Sequence, residues 1–138
     1  MYEKKFHTFK EDMERPLTAS MEDYIEMTYR LSKENGYTRI NDLATNLNVK
    51  PSSATKMIQK LADMGYLNYQ KYGIIVLKPK GYALGENLLN RHNTVEEFLK
   101  LLKVKDENLL YETEKIEHTI SDDTLECIKM FLDKEKKS

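Results

Sequence analysis

A mainly α protein with one small β-hairpin is what this sequence predicts, and three observations predict it. Apolar side chains recur at helical spacing through most of the chain from residue 20 onward. Only two short runs, YLNYQ at 66–70 and IIVL at 74–77, have the character of strands, and Lys71-Tyr72-Gly73 joins them with glycine at the turn. The length, 138 residues, suits one compact domain or a small domain with a helical appendage.

Residues 1–18 are polar and mixed in charge, with Phe6, Phe9, Met13 and Leu17 as their clearly buriable side chains. They form an N-terminal extension, a loose arm or a short extra helix, with no assigned role. Ser20, followed three residues later by Asp23, predicts a capping box that opens the first helix. Its buried stripe is Met21, Tyr24, Ile25, Thr28 and Leu31, and Asn35-Gly36 ends it. A short helix from Asn41 to Leu47 buries Leu43, Ala44 and Leu47. Pro51 suits the first turn of the next helix and Gly65 its C-terminal stop. In that helix Ala54, Met57, Ile58, Leu61 and Met64 share one face, and Ser52, Thr55, Lys56, Gln59, Lys60 and Asp63 the other. After the hairpin, a long helix is expected from Lys80 to Lys103, tolerating Gly81 and Gly85 at some cost. Asp106 is expected to cap the next helix. Ser121 should cap the last, which carries Leu125, Ile128, Phe131 and Leu132 on its apolar side.

Helix, short helix, turn, amphipathic helix, hairpin: that order describes a winged helix-turn-helix, expected over residues 19–79. The helix at 51–64 would read double-stranded DNA, with Lys56 and Lys60 on phosphate and Ser52, Thr55 and Gln59 on base edges. Between Val49 and Lys60 stand Lys50, Lys56 and Lys60 and no acid. Lys71 and Tyr72 at the hairpin tip would touch backbone phosphate. Any amphipathic helix has a polar outer face; the ordering of the five elements is what favours the DNA reading.

Composition narrows the rest. The 22 basic and 23 acidic residues give a formal net charge of −1, so a local basic surface decides nucleic-acid binding rather than the sum. No stretch approaches about 18 apolar residues, so none is expected to span a membrane. The start is too polar for a secretory signal, and Cys127 has no internal disulfide partner. Both fit a cytoplasmic protein. No HExxH, P-loop or GxSxG occurs. The Glu-x-x-His pairs of di-iron bundles are also missing, since His118 directly follows Glu117. An enzyme is therefore not expected.

Residues 113–121, TEKIEHTIS, raise a different chemistry. On a helix Glu114, Glu117 and His118 share one side, and Glu117 falls inside the apolar arc of Leu109, Leu110, Thr113 and Ile116. A buried carboxylate needs a cationic partner, a proton or a metal. Asp23 and Glu26 make a second pair one turn apart, and His92 lies on the face of Leu88 and Val95. Each has a plain structural account: a cap, a solvated edge, a core histidine, lysine pairs. On spacing alone both readings stand. His7 and Glu11, at i and i+4, are better read as a solvated face than as ligands.

The runs SMEDYIE, KPSSATKMIQKL, NRH and EKIEH closely resemble the manganese transport regulators of the diphtheria toxin repressor family. The resemblance covers residues 19–133. It implies a metal-dependent, homodimeric repressor in which residues 80–138 dimerise and bind metal. It implies a two-metal site of Asp23, Glu26, His92, Glu114, Glu117 and His118, with Glu114 and Glu117 bridging. Glu26 and His92 would complete one ion, Asp23 and His118 the other. It further implies two Mn²⁺ per subunit as corepressor, a palindromic operator and control of metal-uptake genes. Where this chain has Asp23 the iron-sensing branch has methionine; oxygen there points to manganese. Carboxylate and imidazole without thiolate suit a hard or borderline ion independently. Two alternatives remain: an Fe²⁺-responsive repressor, or a winged-helix regulator sensing an organic ligand.

Overall fold

The structure, a computed structural model, describes residues 17–137; His7 and Glu11 lie outside them. Helix α1 spans Ala19–Ser32. Its cap is Thr18, whose extended backbone lets the hydroxyl accept the Met21 N–H at 3.2 Å. The expected Ser20 capping box is thereby corrected. Ser20 lies in the first turn, because Leu17 packs on the core and starts the helix earlier. Asp23 is consequently no cap residue and is available to another partner.

Strand β1 (Thr38–Arg39) leads into α2 (Ile40–Leu47). Asn48 ends α2 in the left-handed region (φ 57°) and closes its N–H onto the carbonyls of Ala44 and Thr45. Helix α3 (Pro51–Asp63) starts with Pro51 in its first turn and stops before Gly65 at φ +88°. Strands β2 (Leu67–Tyr69) and β3 (Ile74–Leu77) pair antiparallel through Leu67↔Leu77 and Tyr69↔Ile75. β1 joins the other edge of β3 through Thr38↔Ile75, giving the order β1-β3-β2. This third strand is absent from the sequence reading because two residues carry no alternation. The wing tip is a single tight turn over Lys71–Gly73 with Tyr72 and Gly73 both at positive φ. A Cβ on Gly73 would meet Ile40 Cγ2 at 2.8 Å, so glycine there serves conformation and space together.

Helix α4 (Pro79–Leu101) crosses the molecule. Its glycines are close-approach positions. A Cβ on Gly81 would lie 2.1 Å from the Tyr66 carbonyl oxygen, and one on Gly85 would lie 2.5 Å from Tyr29 Cβ. In an open helix glycine to alanine stabilises by about 1 kcal/mol. Gly81→Ala should instead cost about 1–3 kcal/mol through overpacking against backbone. A urea melt showing a midpoint at or above wild type would refute this packing.

Helix α5 spans Asp106–Glu117 and α6 spans Asp122–Lys136. The expected Asp106 cap is corrected: Lys105 holds the cap position without a side-chain bond. Asp106 is the first helical residue, where its charge with that of Glu107 offsets the helix dipole. Ser121 caps α6 as expected, accepting the Thr124 N–H at 3.1 Å.

Two apolar clusters result. Ile25, Leu43, Ile58, Leu61, Leu67, Ile75 and Leu88 belong to one; Val95, Leu99, Leu109 and Leu125 form the other. Leu88 and Val95 are seven residues apart, two turns along one face of α4. Between them, at the seam of the two cores, sit buried Arg91 and His92.

Candidate metal centre and nucleic-acid interface

The seam gathers charge from three helices. α1 presents Asp23 and Glu26 one turn apart, α4 presents His92, and α5 ends with Glu114, Glu117 and His118. Gly85 allows this, since Tyr29 packs on it one turn from Glu26 and so draws α1 against α4 below His92. Asp23, Glu26, His92, Glu114 and Glu117 line one cavity of about 200 Å³.

Within this seam the donor atoms fall into two clusters. Side-chain atoms of Glu26, His92 and Glu117 lie within 4.8 Å of one another, as do those of Asp23, Glu117 and His118. Glu117, 2 % exposed, is common to both. Its Oε1 lies 3.3 Å from His92 Nδ1 and 4.0 Å from His118 Nε2. His118 Nε2 also lies 2.6 Å from Asp23 Oδ1. Glu114 stands at the cavity wall, exposed, and contributes no atom to either cluster.

The electrostatics describe groups under charge pressure. Burial, then the Glu117 charge, push the Glu26 carboxyl up to about 7. Arg30 opposes this by pairing with Glu26 Oε2. Hydrogen bonds to Asp23 and then Glu22 hold the His118 imidazolium up at about 10. A hydrogen bond to Glu117 raises His92 against the opposing effect of burial. The Arg30 guanidinium and the His118 imidazolium therefore stand against these carboxylates. Even so, Glu26 Oε1 and Glu117 Oε2 are buried with no hydrogen-bond partner among the described residues. Orphaned buried carboxylate oxygens are costly. Two of them aimed into an acidic seam, with two imidazoles and no thiolate beside them, fit a hard or borderline divalent cation. Cys127 is exposed on α6 and belongs to neither cluster.

Arg91 is a residue the sequence reading passes over. Buried beside His92, its guanidinium donates to the Glu117 carbonyl from Nε (3.0 Å) and Nη2 (2.8 Å), and to Asp122 Oδ1 from Nη1 (2.8 Å). Nη2 also donates to the Ile120 carbonyl. It satisfies carbonyls that the end of α5 leaves free and anchors the backbone of Glu117. The one available signal was an arginine next to His92 on a face otherwise filled by Leu88 and Val95.

None of the residues of the predicted DNA face lines this cavity or joins either donor cluster. Ser52, Lys56, Gln59 and Lys60 are exposed along α3 and Thr55 is partly so, its hydroxyl donating to the Pro51 carbonyl at 2.9 Å. Lys71 is exposed at the wing tip, and Tyr72 beside it is 88 % exposed.

Residues 16–75 match the family model described as the iron-dependent repressor, N-terminal DNA binding domain. Residues 78–138 match its companion, the metal binding and dimerisation domain. The chain belongs to the iron-dependent repressor family. Membership makes it a metal-dependent, DNA-binding transcriptional repressor with a dimerisation domain, not an enzyme. It is 51% identical over 104 residues to the HTH-type transcriptional regulator MntR of Geobacillus thermodenitrificans, covering 75% of this chain and 74% of the relative. To MntR of Bacillus subtilis it is 46% identical over 111 residues, covering 80% and 78%. Among solved structures it resembles the metal-dependent transcriptional regulator MtsR (TM-score 0.75, 30% identity, 85% of this chain and 55% of that one). The manganese regulator SloR is similar (TM-score 0.73, 28% identity, 85% and 55%). The chain spans about half the length of those two solved chains. Among the described residues no helix is long and apolar enough to cross a membrane.

Proposed function

We propose that this repressor family member responds to manganese, taking two Mn²⁺ per subunit as corepressor and silencing metal-uptake genes in the cytoplasm when the ion is plentiful. The observation that carries the reading is Glu117, a buried carboxylate shared by both donor clusters. Glu26 and His92 would hold one ion with it, Asp23 and His118 the other, and Glu114 at the wall would bridge both. The ions supply positive charge that lets these carboxylates share one seam. The oxygen-rich donor set and the similarity to MntR and to the manganese regulator SloR both support manganese.

The division of labour follows the helices. Residues 19–79 read DNA and 80–138 dimerise and bind metal; residues 1–18 have no assigned role. Asp23 and Glu26 ride on α1 of the reading half, while Glu114, Glu117 and His118 ride on α5. Joining them fixes how α3 is carried, so that two copies in a homodimer present their reading helices about 34 Å apart, or a multiple, to palindromic half-sites. Exposed Leu102, Met130 and Phe131 offer the second copy apolar surface. Two divalent ions also turn a formal subunit charge of −1 positive, which favours phosphate.

The test is affinity for a palindromic duplex selected by this protein from a random library, at fixed ionic strength, with Mn²⁺, with anaerobic Fe²⁺ and with chelator. Mn²⁺ should tighten binding at least about tenfold, equivalent to about 1.4 kcal/mol. Equal affinity in chelator defeats the corepressor reading and favours an organic ligand; a larger response to Fe²⁺ favours iron. Lys56→Ala should weaken binding in every metal state and lower the slope of log affinity against log salt by about 1. An unchanged slope would remove Lys56 from the phosphate contacts.

A further inference from the structure

Each imidazole of the seam has one ring nitrogen turned inward and the other held from outside. His118 Nε2 faces Asp23 at 2.6 Å, while its Nδ1 lies 3.1 Å from Glu22 Oε1. His92 is reversed: Nδ1 faces Glu117 at 3.3 Å, and Nε2 lies 3.2 Å from Glu96 Oε2. Neither Glu22 nor Glu96 contributes an atom to the two donor clusters.

We propose that Glu22 and Glu96 are positioning residues that dictate which nitrogen each histidine offers to metal, Nε2 from His118 and Nδ1 from His92. The inference rests on the metal reading above. A neutral imidazole carries one N–H and one lone pair. Once a bound cation displaces the inner proton, the carboxylate held against the outer nitrogen keeps the remaining proton there, leaves the lone pair facing inward, and strengthens it as a donor. At the same time it fixes the plane of the ring.

The two holders differ in origin. Glu96 stands one turn along α4 from His92 and is itself held by Lys100 Nζ at 3.1 Å, so this pair is local to one helix. Glu22 lies on α1, next to Asp23, and the two carboxylates grip His118 by its opposite nitrogens. The side chains of His118 and Glu22 are 9 % and 22 % exposed, enough shielding for the contact to hold the ring. His118 is therefore oriented by the reading half of the molecule while its backbone belongs to α5. Each holder should then act on one ion: Glu22 on the Asp23–His118 ion, Glu96 on the Glu26–His92 ion.

The test pairs Mn²⁺ calorimetry on wild type, Glu22→Gln and Glu96→Gln with NMR of ¹⁵N-histidine protein loaded with ¹¹³Cd²⁺, a diamagnetic probe. Each variant should weaken one of the two Mn²⁺ binding steps about 10–100-fold and leave the other near wild type. In wild type, cadmium coupling should appear at Nε2 of His118 and at Nδ1 of His92. Coupling at the opposite nitrogens overturns the proposal without needing any variant. Wild-type Mn²⁺ affinities in both variants overturn it too, while leaving the metal reading standing. Absence of Mn²⁺ binding by wild type would sink both.

Discussion

Glu117→Gln should yield a folded protein that has lost its Mn²⁺ response. The substitution keeps the volume of a side chain only 2 % exposed and removes the charge common to both donor clusters. An ion present at a hundredfold excess over its Kd stabilises the native state by about 2.7 kcal/mol. Wild type should therefore show a Mn²⁺-dependent rise in Tm of several degrees, and Glu117→Gln almost none. Its DNA affinity should sit at the wild-type value in chelator whether or not Mn²⁺ is added. Substituting Asp23 alone should be milder, since the Glu26–His92–Glu117 cluster stays intact. A Glu117→Gln protein with a wild-type Tm rise would place the ion elsewhere.

Arg91→Ala should be the most destabilising single change in the seam. The guanidinium answers the carbonyls of Glu117 and Ile120 and reaches Asp122. Removing it strands two carbonyls at about 1–3 kcal/mol each, so a loss of about 2–6 kcal/mol is expected. The cost of Asp122 itself is small because that side chain is 87 % exposed. Arg91→Lys should recover only part, since an ammonium cannot reproduce the planar fork that serves Glu117 and Asp122 together. Equilibrium unfolding in urea measures both, and a loss under about 1 kcal/mol for Arg91→Ala would mean that water replaces the guanidinium freely. The same variant should also weaken Mn²⁺ binding, because the backbone it anchors carries the shared carboxylate.

What could be read beforehand was whatever leaves a periodic or compositional trace. Pro51 and Gly65 mark helix ends by their backbone conformation and Ser121 by its hydroxyl, and each does so in the structure. The arc of Leu109, Thr113 and Ile116 already places Glu117 among apolar neighbours, which raised the question of its partner. Features that depend on a distant residue left no such trace. Thr18 caps α1 because Leu17 finds the core, and Ser20 with Asp23 mimics a cap better than Thr18 does in sequence. Gly81 and Gly85 read as a helix-propensity cost, although each makes room for Tyr66 or Tyr29 from another element. Arg91 and Glu22 look like ordinary charged residues until the end of α5 arrives beside them. Asp23 is the instructive case: with the cap assigned to Thr18, its carboxylate faces His118, 95 residues away.

Under the proposed metal reading, one buried carboxylate joins two cation sites across the seam between the reading and dimerising halves. Anomalous diffraction at the manganese edge from a Mn²⁺-loaded crystal addresses it directly. Two peaks per subunit about 4 Å apart are expected, one enclosed by Glu26, His92 and Glu117, the other by Asp23, Glu117 and His118. A single peak touching neither His92 nor His118, or peaks lying away from Glu117, would contradict it.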